Sequence, residues 1–150
     1  MIVTTNESEL AAWFAVHSDL PEPKPMRYIG CAVSGRLAFV VAYENFNGAS
    51  MYIHVASDGA SKVTRDFVWA VFDYPFNFCK AQMLIGPVAS NNKEALRLTK
   101  HLGFKIEHVI EGAHPAGALV YMTMHREECR FLSPKWSRRA LQQSKPLRAG

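Results

Sequence analysis

The sequence has no apolar run long enough to cross a bilayer, and its opening residues, "MIVTTNESELAAWF", lack the basic stretch and apolar core of an export signal. A soluble, cytoplasmic chain with no membrane partner is the expectation. Cysteine is scarce and odd in number: Cys31, Cys79 and Cys129, with no C-x-x-C pair. That argues against a disulfide framework and against zinc sites of the usual spacing. His125 and Cys129 lie four residues apart, but two ligands without partners do not make a site, so no metal is expected. Repeats and low-complexity blocks are also absent. Acids are missing from one region: beyond Ser133 the chain carries Lys135, Arg138, Arg139, Lys145 and Arg148 and no carboxylate, which leaves twelve basic against thirteen acidic residues elsewhere. The body is near neutral and the tail is basic. Five charges and one aromatic, Trp136, are a thin footprint for nucleic acid, and a solvated terminal helix is the better account of them.

What is present is globular. Hydrophobic residues make up 49% of 150 residues and charged residues 20%, enough for one self-supporting core. The expected division is a single domain over 1–132 and a basic helix and tail over 133–150. "NESELAAWFAVHSDL" places Leu10, Trp13, Phe14 and His17 at helical spacing, predicting a first helix from about Ser8. "PEPKP" interrupts regular structure. "MRYIGCAV", "RLAFVVAYE" and "SMYIHVA" read as three antiparallel strands separated by the turn chemistry of "SG" and "NFNGA". "VTRDFVWAVFDYPF" predicts a second helix with Phe67, Val68, Val71 and Phe72 inward, and "KAQMLIGPV" a further strand. That strand ends awkwardly at Pro87, which belongs where ladder bonds are missing.

"NNKEALRLTKHLGF" predicts a capped helix, with Asn91 or Asn92 at its start, Ala95, Leu98 and Leu102 inward and Gly103 at its end. A hairpin built from "FKIEHVIEGA" and "ALVYMTMHRE" follows, then a short basic helix starting at Ser133 and Pro134. The order is helix, three strands, helix, strand, helix, two strands. A strand, helix, strand unit between Met51 and Val88 places one parallel crossover in an otherwise antiparallel sheet, an α/β fold of mixed type.

Within that third helix Asn92, Ala95, Leu102, Gly103 and Phe104 fill, in register, a local signature of the GNAT superfamily of acyl-CoA-dependent N-acetyltransferases, which the chain resembles over roughly residues 27–128. "GFKIEHV" is similar to the segment after that helix in ribosomal-protein-type N-terminal acetyltransferases. "REECRFL" is similar to the ending of small members carried by tailed phages. The resemblance implies a mixed sheet flanked by helices, with "MYIHVA" and "KAQMLIGPV" splayed apart around the pantetheine arm of acetyl-CoA and an amine, a protein N-terminus or a small molecule, as acceptor. Pro87 would then stand where the ladder has opened. A homodimer stays open.

The loop "SDGASK" between strand and helix presents backbone N–H groups and a positive dipole end, which suit a pyrophosphate. The family pattern falls on Ala56, Gly59 and Ser61, of which Gly59 alone matches fully; Lys62 and Arg65 add positive charge and Asp58 subtracts from it. By the same resemblance one asparagine caps the third helix while Asn92 turns its amide toward the cofactor arm. The family's tyrosine acid, seven residues beyond, is Thr99 here, a hydroxyl too weak to replace it. Backbone N–H groups from Ile53 to Val55 would hold the oxyanion. His54, beside the expected cleft, is the leading base, because imidazole titrates near working pH. Glu44 at the preceding strand's end is the next base candidate, and Tyr121 on the last strand is the candidate acid. Each has an ordinary alternative: a structural histidine, a solvated carboxylate, a packed strand aromatic. The degenerate loop and Thr99 keep a second reading open, a protein of this fold that binds CoA or a protein or RNA partner without turnover.

Overall fold

The computed structural model describes residues 2–4, 6–18, 20, 26–133 and 136. Its strands are β1 (Ile2–Thr4), β2 (Arg27–Val33), β3 (Arg36–Glu44), β4 (Ser50–Ser57), β5 (Met83–Ala89), β6 (Lys105–His114) and β7 (Gly117–His125); its helices are α1 (Glu7–His17), α2 (Arg65–Asp73) and α3 (Lys93–Leu102). The strands form one sheet in the order β1-β2-β3-β4-β5-β7-β6. Neighbours are antiparallel except β4 and β5, which run parallel around the crossover through α2. The mixed α/β sheet expected from the sequence is therefore the one observed. No helix among the described residues is long and apolar enough to cross a membrane.

Local chemistry explains the helix starts. The Asn6 side chain accepts the Glu9 N–H at 3.4 Å, and Glu7 and Glu9 stand in the first turn of α1, where the dipole favours carboxylates. Asn92 accepts the Ala95 N–H at 3.1 Å at the start of α3, and Gly103 closes that helix at φ +108°, a left-handed conformation that suits glycine. The two faces of the sheet are covered separately. Leu10 and Phe14 of α1 bury Tyr28, Val40, Ala42 and Ala56 on one face. On the other, α2 packs Phe67, Val71 and Phe72 against Val41, Met51 and Leu84.

Four readings are corrected. The chain opens on a strand, β1, paired to β2 through Ile2 and Ala32, since three residues are too few to show a period. The second helix does not run on regularly to Phe76: after Asp73 its turn widens into a π-helical turn, Tyr74–Phe78, closed by the Cys79 N–H on the Tyr74 carbonyl at 2.9 Å. Pro75 is the cause, because it has no N–H to return to Val71. The Val71 carbonyl instead accepts the fully buried Tyr43 hydroxyl at 2.7 Å. Tyr43→Phe is expected to cost about 1–3 kcal/mol in urea unfolding, since it orphans a buried acceptor. Third, Leu96 as well as Leu102 packs on the core from α3, where the sequence pattern had selected Leu98. Fourth, β5 begins at Met83, after Lys80 at φ +64°. The expected basic helix over 133–150 lies outside the described residues except for Ser133 and Trp136. Trp136 meets Phe131 edge-on at 4.9 Å and carries the Arg65 guanidinium at 5.0 Å, so this aromatic is engaged with its own chain.

Candidate active site

The parallel ladder between β4 and β5 is short. It holds Ser50↔Met83, Met51↔Leu84 and Tyr52↔Ile85, and no register partner joins the strands beyond Tyr52 and Ile85. From there β4 follows β3 up to Ser57, while β5 follows β7 through Pro87 to Ala89. The sheet is thus splayed over Ile53–Ser57 on one side and residues 86–89 on the other. Pro87 lies inside the opened stretch, paired to Tyr121 of β7, so its missing N–H disturbs no β4 bond. Val55, in the splayed part of β4, leaves 43% of its surface exposed, an apolar side chain without cover on a central strand. Ile53 beside it is buried.

His54 is the second residue beyond the last shared pair. Its Nε2 meets Glu44 Oε1 at 3.0 Å, with only 10% and 9% of the two side chains exposed. Strand register makes the pair: Ala42 faces His54 and Tyr52 faces Glu44, so the two candidates for the base sit diagonally on one face. Neither strand's sequence alone pairs them. Tyr28 borders the carboxylate: burial first, then the Glu44 charge, raises its phenol above the ordinary 10.0.

Tyr121 sits on the same face across the opening. Counting two residues from the level of Tyr52, Ile85 and Thr123 reaches His54 on β4, Pro87 on β5 and Tyr121 on β7. The phenol is half-buried and stands opposite His108 of β6. The structure therefore brings Glu44 and His54 into contact and places Tyr121 level with them.

The candidates on α3 are arranged differently from expectation. Asn92 itself is the cap, through its side-chain oxygen, so the division that left capping to the other asparagine is corrected. The side chain at this position is the one that reaches the third residue's N–H. Thr99 donates its hydroxyl to the Ala95 carbonyl at 2.6 Å, which commits its proton to the helix.

The loop after β4 keeps its donors for itself. The Asp58 carboxylate accepts from Ala60 N–H at 3.0 Å, Ser61 N–H at 2.9 Å and Ser61 Oγ at 2.7 Å. Gly59, at φ +76°, donates its N–H to Ser57 Oγ at 3.2 Å. These backbone donors, first from Ser61 and then from Ala60, hold the Asp58 carboxyl below its ordinary 3.8. The Asp58 carboxylate thus occupies the donors that the sequence offered to a pyrophosphate. Lys62 is exposed next to it, and α2 begins three residues on with Thr64 at its cap position.

Other chemistry is remote from this face. Burial pushes the Cys31 thiol up to about 11 and raises that of Cys129, which leaves both as poor nucleophiles. Among the described residues no group of three or more His, Cys, Asp or Glu is placed to hold a metal ion. Below Glu44 a cavity of 560 Å³ opens between the ends of β2 and β3 and the π turn. Its walls come from five separated segments, and no linear spacing would have joined them.

No family model matches the chain, and no curated protein sequence matches it. Solved structures do. A variant of the spermidine N-acetyltransferase SpeG from Vibrio cholerae superposes with a TM-score of 0.71 at 14% identity, covering 90% of this chain and 99% of that one. The putative acetyltransferase yncA from Salmonella typhimurium, determined with acetyl-CoA, gives 0.64 at 12% identity over 89% and 96%. The ribosomal-protein-S5-alanine acetyltransferase from Vibrio fischeri gives 0.57 at 13% identity over 70% and 64%. The fold of this chain is that of the GNAT-type N-acetyltransferases, as the helix motif and the splayed strands anticipated.

Proposed function

We propose that the protein is an acetyl-CoA-dependent N-acetyltransferase that acetylates a primary amine in a ternary complex. The observation that carries this reading is the nearly buried Glu44–His54 pair at the point where β4 and β5 part. A sheet opening explains a cofactor seat, and a plain sheet face has no need of a desolvated carboxylate and imidazole beside it.

When bound, acetyl-CoA supplies a thioester whose carbonyl carbon joins the amine nitrogen as the C–S bond breaks, the nitrogen giving up a proton and the sulfur gaining one. The residues fit that chemistry. Val55 offers an apolar wall for the pantetheine arm, and the β4 backbone from Ile53 to Val55 supplies N–H donors for the oxyanion. Glu44 and His54 take the proton from the amine, Glu44 fixing the imidazole at 3.0 Å. Tyr121, level with His54, is the group that returns a proton to sulfur. The loop of Gly59, Ser61 and Lys62 and the start of α2 receive the pyrophosphate, while Asn92 and Thr99 line the cofactor side through α3.

The arrangement at Asp58 makes the cofactor compete with a resident carboxylate for the Ala60 and Ser61 donors. Asp58→Ala is therefore expected to tighten acetyl-CoA binding roughly two- to fivefold, the size of a 0.3–1 kcal/mol charge effect at a helix N-terminus. Calorimetric titration of the variant checks it.

Turnover tests the reading directly. The full chain incubated with acetyl-CoA and a panel of amines and peptides should release free CoA thiol only when an amine is present. Absence of amine-dependent release across the panel, with acetyl-CoA still bound, would favour the second reading, a CoA-binding protein without turnover.

A further inference from the structure

The cavity below Glu44 adjoins the site through that one residue, and the inference drawn from it rests on the acetyltransferase reading above. Glu44 lines it, so one carboxylate is shared between the cavity and His54. His54 stands two residues beyond the last pair shared by β4 and β5, and Arg27 and Phe46 are among the residues that line the cavity. It is a cleft of 560 Å³, open to solvent on its outer side.

Its walls select among amines. Met26, Phe46, Met51 and Tyr74 give it thioether and aromatic surface. Tyr74 is held in place by stacking on Phe78 at 5.7 Å and by its contact with Tyr43 at 5.1 Å. Of its two carboxylates, Glu7 is already bound to Arg27 at 2.8 Å, and this pair lies exposed at the rim. Glu44, the inner carboxylate, is held by His54 at 3.0 Å, so an ammonium that reaches it also stands next to the proposed base. A chain of several ammonium groups would need further carboxylates and would meet the Arg27 guanidinium instead. An amine with one positive charge on an apolar or aromatic body satisfies both halves of the cavity: the charge at Glu44, the body on methionine and aromatic faces.

We infer that this cavity is the acceptor site and that the acceptor is a monoamine carried on an apolar body, in preference to a polyamine. Two sources have that chemistry, a free arylalkylamine and a polypeptide whose first residue is large and apolar.

The test measures binding and turnover on the full chain with three probes: 2-phenylethylamine, a tetrapeptide beginning with phenylalanine, and spermidine. Phe46→Ser is the variant, because Phe46 is 46% exposed in a loop held independently by Asn47 Oδ1, which accepts the Ala49 and Ser50 N–H groups. The expected result is that phenylethylamine or the peptide binds tighter than spermidine by ~10-fold or more, and that Phe46→Ser weakens that binding at least fivefold without changing acetyl-CoA affinity. Tighter binding of phenylethylamine assigns a small-molecule acceptor, and tighter binding of the peptide assigns an N-terminus. Spermidine binding as tightly as either, an unchanged affinity in Phe46→Ser, or no binding of any probe would overturn the inference. Amine-dependent CoA release with other acceptors would in those cases leave the acetyltransferase reading standing.

Discussion

His54→Gln should lower kcat for amine acetylation roughly 10²- to 10⁴-fold, the usual contribution of a positioned general base, while leaving acetyl-CoA affinity within about twofold of the parent. The argument is geometric. His54 touches Glu44 at 3.0 Å on the face of β4 that looks away from Val55, the residue proposed to wall the cofactor arm. Glutamine keeps a polar contact to Glu44 and so preserves the fold better than alanine, but its amide cannot accept the amine's proton. Steady-state kinetics with separate cofactor titration divides the roles. A loss of affinity with an unchanged kcat would make His54 a cofactor residue and would remove the base from the scheme. Glu44→Gln is expected in the same direction with a smaller effect, since the imidazole stays in place and loses its partner's charge.

The largest expected effect on stability lies elsewhere. Phe72 of α2 is 1% exposed and meets three other rings, Phe131 at 5.0 Å, Phe104 at 6.2 Å and Phe76 at 6.4 Å. These rings come from the turn after β7, the residue before β6 and the π turn, so one side chain joins segments far apart in sequence. Phe72→Ala removes that joint and leaves a cavity, at a cost of about 3–5 kcal/mol. A domain of this size has roughly 5–15 kcal/mol in total. Urea unfolding should show the midpoint falling by about a fifth or more, and a change under about 1 kcal/mol would mean that the cluster repacks freely.

The elements with strong periodicity were legible because their residues answer to local rules. Asn92, Ala95 and Gly103 announced α3 through its cap and its stop. Pro87 signalled a sheet edge or missing ladder bonds, and the family resemblance supplied the splay. What stayed hidden depends on distance in sequence. The Glu44–His54 contact follows from the β3·β4 register, which no single strand encodes. The closing of the loop by Asp58 was visible only as a misplaced charge, because a side chain folding back on its own N–H groups leaves no periodic trace. The π turn was concealed for a similar reason: the partner of the Val71 carbonyl is Tyr43, twenty-eight residues away.

Calorimetric titration of acetyl-CoA into the wild-type chain and into Val55→Arg tests whether the opening between β4 and β5 seats the cofactor. Val55 is 43% exposed, so arginine there is tolerated by the fold but fills the splay with a charged side chain. The account predicts one-site binding to the wild type, a matching rise in thermal stability of about 2.7 kcal/mol at a ligand concentration 100 times Kd, and loss of both in the variant. Absence of binding to the wild type, or equal binding to a folded Val55→Arg, would contradict it.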